Sequence, residues 1–65
     1  MNLTEKKMIF ENLIDRKQLA KKLGVSESFI SKLMVEQGLP YIKLGRAVRF
    51  ELREVMVFLN ERKYP

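Results

Sequence analysis

The chain has 65 residues, with 13 basic and 8 acidic side chains, a formal net charge of +5, and neither cysteine nor histidine. At this length one domain is the limit, and it buries only ~60% of the surface that the unfolded chain exposes. Disulfides, thiolate or imidazole metal sites and histidine-based catalysis lose their usual parts, and no apolar run approaches the ~20 residues of a membrane span.

Met1 to Leu13 is the least legible stretch. Thr4 suits the cap of a short helix with Met8, Ile9, Leu13 and Ile14 roughly on one side, whereas Met8-Ile9-Phe10 also suits a short strand. The helix is the expectation, as a cover for a core that three short helices cannot close alone. Asp15 then precedes RKQLAKKL, with Gln18 three residues on. This is the capping-box pattern, which satisfies two orphan amides at a helix start. It predicts a helix over Arg16 to Leu23. Leu19, Ala20 and Leu23 form its buried stripe, and Ala20 is small enough for a second helix to cross closely. Arg16, Lys17, Lys21 and Lys22 stay outside, where a helix crossing a nucleic-acid backbone meets phosphates.

Gly24 suits the left-handed residue that ends this helix, and Ser26 suits the N-cap of a second helix from Glu27 to about Gln37. Ile30 and Leu33 share a face and can pack back onto Leu19 and Leu23, with Met34 and Gln37 completing the inner side. The opposite side presents Ser28, Ser31, Lys32 and Val35, with Glu27 and Phe29 on the flanks. Helix, short glycine turn and second helix over Leu19 to Leu33 is the DNA-binding supersecondary pattern. In that context Ser28, Ser31, Lys32 and Glu27 are candidates for reading base edges, since serine donates or accepts and lysine suits guanine O6 and N7. Each alone is ordinary on a solvated helix. Ser26 joins the phosphate candidates. Phe29 either packs under the following hairpin, the expected role, or touches a thymine methyl.

Gly38-Leu39-Pro40 stops the second helix. Tyr41 to Phe50, YIKLGRAVRF, alternates about a glycine and reads as a hairpin. Ile42 and Leu44 share one face of the first strand, Val48 and Phe50 one face of the second. With all four on the same side, Leu44 opposes Val48 across a three-residue loop, Gly45-Arg46-Ala47, because a two-residue turn would put Val48 on the other face. This register sets Lys43 against Arg49 with Arg46 at the tip, a pairing of like charges that costs stability but suits an anion. Leu52, Val55, Phe58 and Leu59 recur at helical spacing in a last helix that closes the core. Met56 and Val57 stand at its outer edge.

The charge is unevenly spread. Residues 16–49 carry eight basic side chains against Glu27 and Glu36, a net +6, whereas residues 1–15 sum to −1 and residues 50–65 to zero. Confinement of the excess to the helix pair and hairpin suits an anionic polymer, although a solvated lysine-rich surface has the same composition. The capped helix, GVS turn, second helix, G-L-P, a hairpin of the form Y-I-K-L-G-R-x-V-R-F and a helix with an aromatic-leucine pair near its end together resemble the small MerR-like winged helix-turn-helix domains of excisionases and prophage regulators. The resemblance spans roughly Leu13 to Arg62. It implies a mainly α fold with a small β-hairpin, the second helix in the major groove and the wing on backbone or minor groove. Ser28, Ser31 and Lys32, and Lys43, Arg46 and Arg49 in the wing, would then face DNA. A single domain is expected over 1–65, with an extension over 1–14, the helix-turn-helix over 15–37, the wing over 41–50 and the closing helix over 52–62. Two departures stand out. The family commonly has tryptophan where Val48 stands and a basic residue where Ala47 stands, which implies a weaker grip by the wing. It commonly has arginine where Glu27 stands, so the start of the recognition helix discriminates differently.

The expected function is sequence-specific binding of double-stranded DNA by a cytoplasmic excisionase-like or transcription-regulatory protein of a phage or mobile element. An enzyme, a cofactor and a small-molecule ligand are not expected. The alternative is a protein-interaction module of antirepressor type that engages an acidic partner through the basic face. Base preference with a steep salt dependence favours the first, and tight protein binding without DNA the second. An integrase or recombinase, or further copies of the chain, are the other expected partners. No dimerising segment is visible and one module covers only a short site. A free monomer that binds repeated sites cooperatively, touching through Met56 and Val57, is therefore expected.

Overall fold

The computed structural model describes residues 12–62. In chain order they form β1 (Leu13–Ile14), α1 (Arg16–Leu23), α2 (Glu27–Lys32, continued by a wide turn of π-helix over Leu33–Gln37), β2 (Ile42–Leu44), β3 (Ala47–Glu51) and α3 (Leu52–Glu61). The strands make an antiparallel sheet in the order β1-β3-β2. Three helices around a small sheet whose β2–β3 hairpin projects as a wing constitute a winged helix-turn-helix. No helix among the described residues is long and apolar enough to cross a membrane.

Local chemistry sets the helix limits. The Gln18 N–H donates to Asp15 Oδ1 at 2.7 Å and the Asp15 N–H donates to Gln18 Oε1 at 2.9 Å, closing the capping box at the start of α1. At its end Gly24 takes φ 69°, and the Val25 N–H reaches back to the Ala20 carbonyl at 3.0 Å while the Gly24 N–H reaches Lys21. These are the two bonds of a Schellman motif, which requires the left-handed residue between them. Ser26 caps α2 by accepting from the Phe29 N–H at 3.0 Å. The Glu51 carboxylate caps α3 by accepting from the Glu54 N–H at 2.8 Å.

The end of α2 differs from a plain helix. Over Leu33–Gln37 the backbone widens by one residue per turn, and the Leu39 N–H returns to the Leu33 carbonyl at 3.1 Å, a Schellman-type closure one residue longer than usual. Leu39 is thereby drawn inward and is 1% exposed, a burial that its place in the Gly38-Leu39-Pro40 helix stop does not predict. Gln37, expected on the inner side, is exposed. Leu39 joins Leu19, Ala20, Ile30, Phe50, Val55 and Phe58 in the core, with Ile14, Leu23, Leu33, Met34, Val48, Leu52 and Leu59 packed around it.

Two expectations are corrected. Leu13 and Ile14 do not lie on a helix; they form β1, in which Leu13 pairs with Glu51 and Ile14 with Phe50. Strand pairing satisfies their backbone groups where the sheet edge is open, and it packs Ile14 against the core. The rest of the N-terminal reading, from Thr4 to Phe10, lies outside the described residues. The hairpin register is also different. Leu44 pairs with Ala47, Lys43 with Val48 and Ile42 with Arg49, so the turn has two residues, Gly45 and Arg46. Gly45 takes φ 62° and no non-glycine residue among the described residues has positive φ, the sign pattern of a type II′ turn, whose twist matches that of the strands it joins. The one-residue change inverts the face of β2 relative to β3. Phe50 and Val48 face the core, whereas Ile42 and Leu44 lie on the other face with Arg49, and Leu44 is exposed. Lys43 and Arg49 are not opposed.

Candidate nucleic-acid interface

The Schellman turn at Gly24 and the Ser26 cap fix the direction in which α2 leaves α1. Ile30, fully buried, seats α2 against Leu19 and Ala20 in the core. This leaves Glu27, Ser28 and Lys32 exposed and Ser31 half-buried. Phe29 is 46% exposed and does not join the core, so the expected packing role is at most partial. Ser26 Oγ already accepts the Phe29 amide. Its hydroxyl proton is left to donate outward, which suits a phosphate oxygen.

The candidate phosphate and wing cations divide into two sets. Lys21 and Lys22 are exposed in the last turn of α1, where they also complement the helix dipole, and Lys43 is exposed on β2. Arg16 and Lys17 from the first turn of α1, and Arg46 and Arg49 from the wing, instead line one open depression of about 250 Å³, together with Asp15, Glu27 and Val48. The register explains the wing half of this group. In a two-residue hairpin the closing pair, Leu44 and Ala47, is hydrogen-bonded and the next pair is not, so the Val48 carbonyl points away from β2. β1 pairs only with Phe50 and Glu51 and stops short of it. The Arg49 side chain covers this open edge, its Nη1 donating to the Val48 carbonyl at 2.8 Å. Arg46 is exposed at the turn. On the other wall Arg16 is half-buried, and its Nε is shielded from solvent with no hydrogen-bond partner.

Four cations against two carboxylates give the depression a net positive lining. Asp15 is occupied in its capping box. The depression is formed by the start of one helix, the start of the next and the wing. A family model described as a helix-turn-helix domain matches residues 13–63. The chain belongs to this helix-turn-helix family. It includes excisionase-like small DNA-binding domains, and its helix-turn-helix suggests double-stranded DNA as the partner. Domains of the helix-turn-helix family are typically non-enzymatic. Searches of curated proteins and of solved structures return no match.

Within this helix-turn-helix chain the structure brings together Arg16, Lys17, Arg46, Arg49 and Glu27, and leaves Lys21, Lys22 and Lys43 apart from the depression. Asp15 and Val48 line it without having been candidates in the sequence. Asp15 read as a cap and Val48 as core, and both are also that.

Proposed function

We propose that the protein binds double-stranded DNA sequence-specifically, as an excisionase-like or small regulatory protein of the MerR-like type. The recognition helix α2 enters the major groove and presents Ser28, Ser31, Lys32 and Glu27 to base edges. The wing follows the backbone or the adjacent minor groove through Lys43, Arg46 and Arg49. Arg16, Lys17, Lys21, Lys22 and Ser26 hold phosphates and fix the register. The observation that carries the reading is the joint depression. Two separate cationic segments, thirty residues apart in sequence, meet beside the first turn of α2.

The same reading includes assembly. One recognition helix and one wing cover a short site, and a genome offers many competing sites, so several copies on neighbouring repeats supply the missing specificity. Met56 and Val57, exposed on α3 among charges that cancel, suit the contact between copies. The site of action is DNA in the cytoplasm, with an integrase or recombinase as a further partner.

The test is a titration of duplex DNA flanking its own gene across a range of salt. If Arg16, Lys17, Arg46 and Arg49 each neutralise one phosphate, log K falls with log salt at a slope of roughly −3.6 or steeper. A protected footprint preferred over random duplex supports the reading. Failure to bind duplex at low salt, or binding indifferent to salt, overturns it.

A further inference from the structure

We infer that Glu27 is a base-reading residue selective for cytosine, at one position of the target site; this rests on the DNA-binding reading above. Four acids cap the helices or stand in their first turns, Asp15, Glu27, Glu51 and Glu54, and Glu54 lies outside the basic depression. Asp15 accepts the Gln18 amide and Glu51 accepts the Glu54 amide, so both carboxylates are committed to capping. At α2 the cap is Ser26, and Glu27 follows it in the first turn, exposed. Among the described residues its carboxylate accepts no hydrogen bond and joins no ion pair. It nevertheless lines the depression shared by Arg16, Lys17, Arg46 and Arg49.

In the free protein the helix dipole and the four cations favour a carboxylate here, but once DNA is seated the position is costly unless the carboxylate meets a donor. Cations on both walls draw phosphates toward the depression, and a carboxylate beside phosphates is repelled unless DNA offers it a donor. Phosphate oxygens, sugar oxygens, guanine O6 and N7 and thymine O4 are all acceptors. The donors in the major groove are the amino groups of cytosine and adenine. Adenine sets its N6 amino group beside the N7 acceptor, which repels a carboxylate, whereas the cytosine N4 amino group has no such acceptor on its own base. Residues at the start of a recognition helix are those that reach base edges. Glu27 thus selects cytosine and, by the same charge, disfavours registers that bring another acceptor to it.

The experiment is selection of sites from a randomised duplex pool by the wild-type protein, Glu27→Gln and Glu27→Ala, with thermal unfolding to verify that each variant is folded. The wild type should prefer cytosine at one position by about tenfold, the scale of one good base contact. Glu27→Ala should flatten that position and leave the others unchanged. Glu27→Gln, nearly isosteric and therefore the safer fold, should move the preference there to adenine, whose N6 and N7 match an amide. Identical profiles for wild type and Glu27→Gln, or a change in affinity uniform over all sequences, would overturn the inference while leaving DNA binding intact. Absence of duplex binding by the wild type would instead remove the reading on which it rests.

Discussion

Leu44 pairs with Ala47 across the wing, so Gly45 and Arg46 alone make the turn and Gly45 carries the positive φ of 62°. A Cβ at Gly45 would meet no atom within 4 Å, which makes the cost of a substitution conformational rather than steric. Gly45→Ala should lower stability by about 1–2 kcal/mol. In a domain of this size that is a fall in Tm of roughly 4–8 °C per kcal/mol. Arg46→Ala, at an exposed position with no such constraint, should leave Tm within about 2 °C and weaken DNA binding, lowering the salt slope by roughly one unit. A fall in Tm without loss of binding would make Arg46 structural.

Lys17 and Arg46 face one depression from different segments. If one phosphate sits between them, their contributions are coupled. Lys17→Ala and Arg46→Ala combined should then cost less or more than the sum of the single variants by at least about 0.5 kcal/mol, as contacting sites do. Lys21→Ala, outside the depression, should weaken binding to all sequences alike and add independently to Arg46→Ala. Strict additivity for both pairs would place the two walls on different phosphates.

On the outer face of α2, Ser28 and Lys32 are exposed and Ser31 half-buried. Lys32→Ala, or Ser28→Ala with Ser31→Ala, should reduce the preference for the cognate site by about 1–3 kcal/mol per lost base contact. Non-specific affinity should stay closer to intact. Competition between cognate and random duplex reads the difference, and equal losses on both would restrict this face to backbone contact.

The Arg62 guanidinium lies 3.6 Å from the centroid of the Phe58 ring, and its two terminal nitrogens donate to the carbonyls of Phe58 and Gln37, each at 3.3 Å. One planar group thus joins the ends of α3 and α2. Arg62→Ala should cost about 1 kcal/mol in denaturant unfolding. Arg62→Lys should recover little of it, because an ammonium cannot stack and reach both carbonyls in one plane. DNA affinity measured well below Tm should be unchanged in both.

Leu39 is 1% exposed and is held by the wide turn that ends α2. Leu39→Ala should cost about 2–5 kcal/mol, the range for emptying a packed leucine site. A marginal 65-residue domain would be largely unfolded by the upper half of that range, visible as loss of the far-UV helical signal at 37 °C.

The helix starts and stops were legible in the sequence because the chemistry that sets them acts over three or four residues. Asp15 with Gln18, Gly24, Ser26 and Gly38 each satisfy backbone groups of their own neighbours, so no distant part of the chain can overrule them. The apolar spacing of Ile30, Val55 and Phe58 was equally plain, and all three are buried.

The hairpin register and the composition of the candidate site were decided only by the tertiary structure. Alternation in YIKLGRAVRF fixes which residues of one strand share a face, but not which face of β2 meets which face of β3. Apolar residues on both strands made a common inner face the natural reading. The type II′ turn at Gly45 imposed the other register, and Phe50, paired with Ile14, kept the core side for β3 and β1 rather than for Ile42 and Leu44 of β2. Leu13–Ile14 is too short a strand to show a period, and Leu39 turns inward through a closure between Leu33 and Leu39 that no spacing rule anticipates. Arg16, Lys17, Glu27, Arg46 and Arg49 were each visible as surface charges. Their meeting in one depression depends on where β1 stops along β3 and on the angle at Gly24, and both are consequences of packing the whole chain around Phe50 and Leu19 rather than of any local pattern.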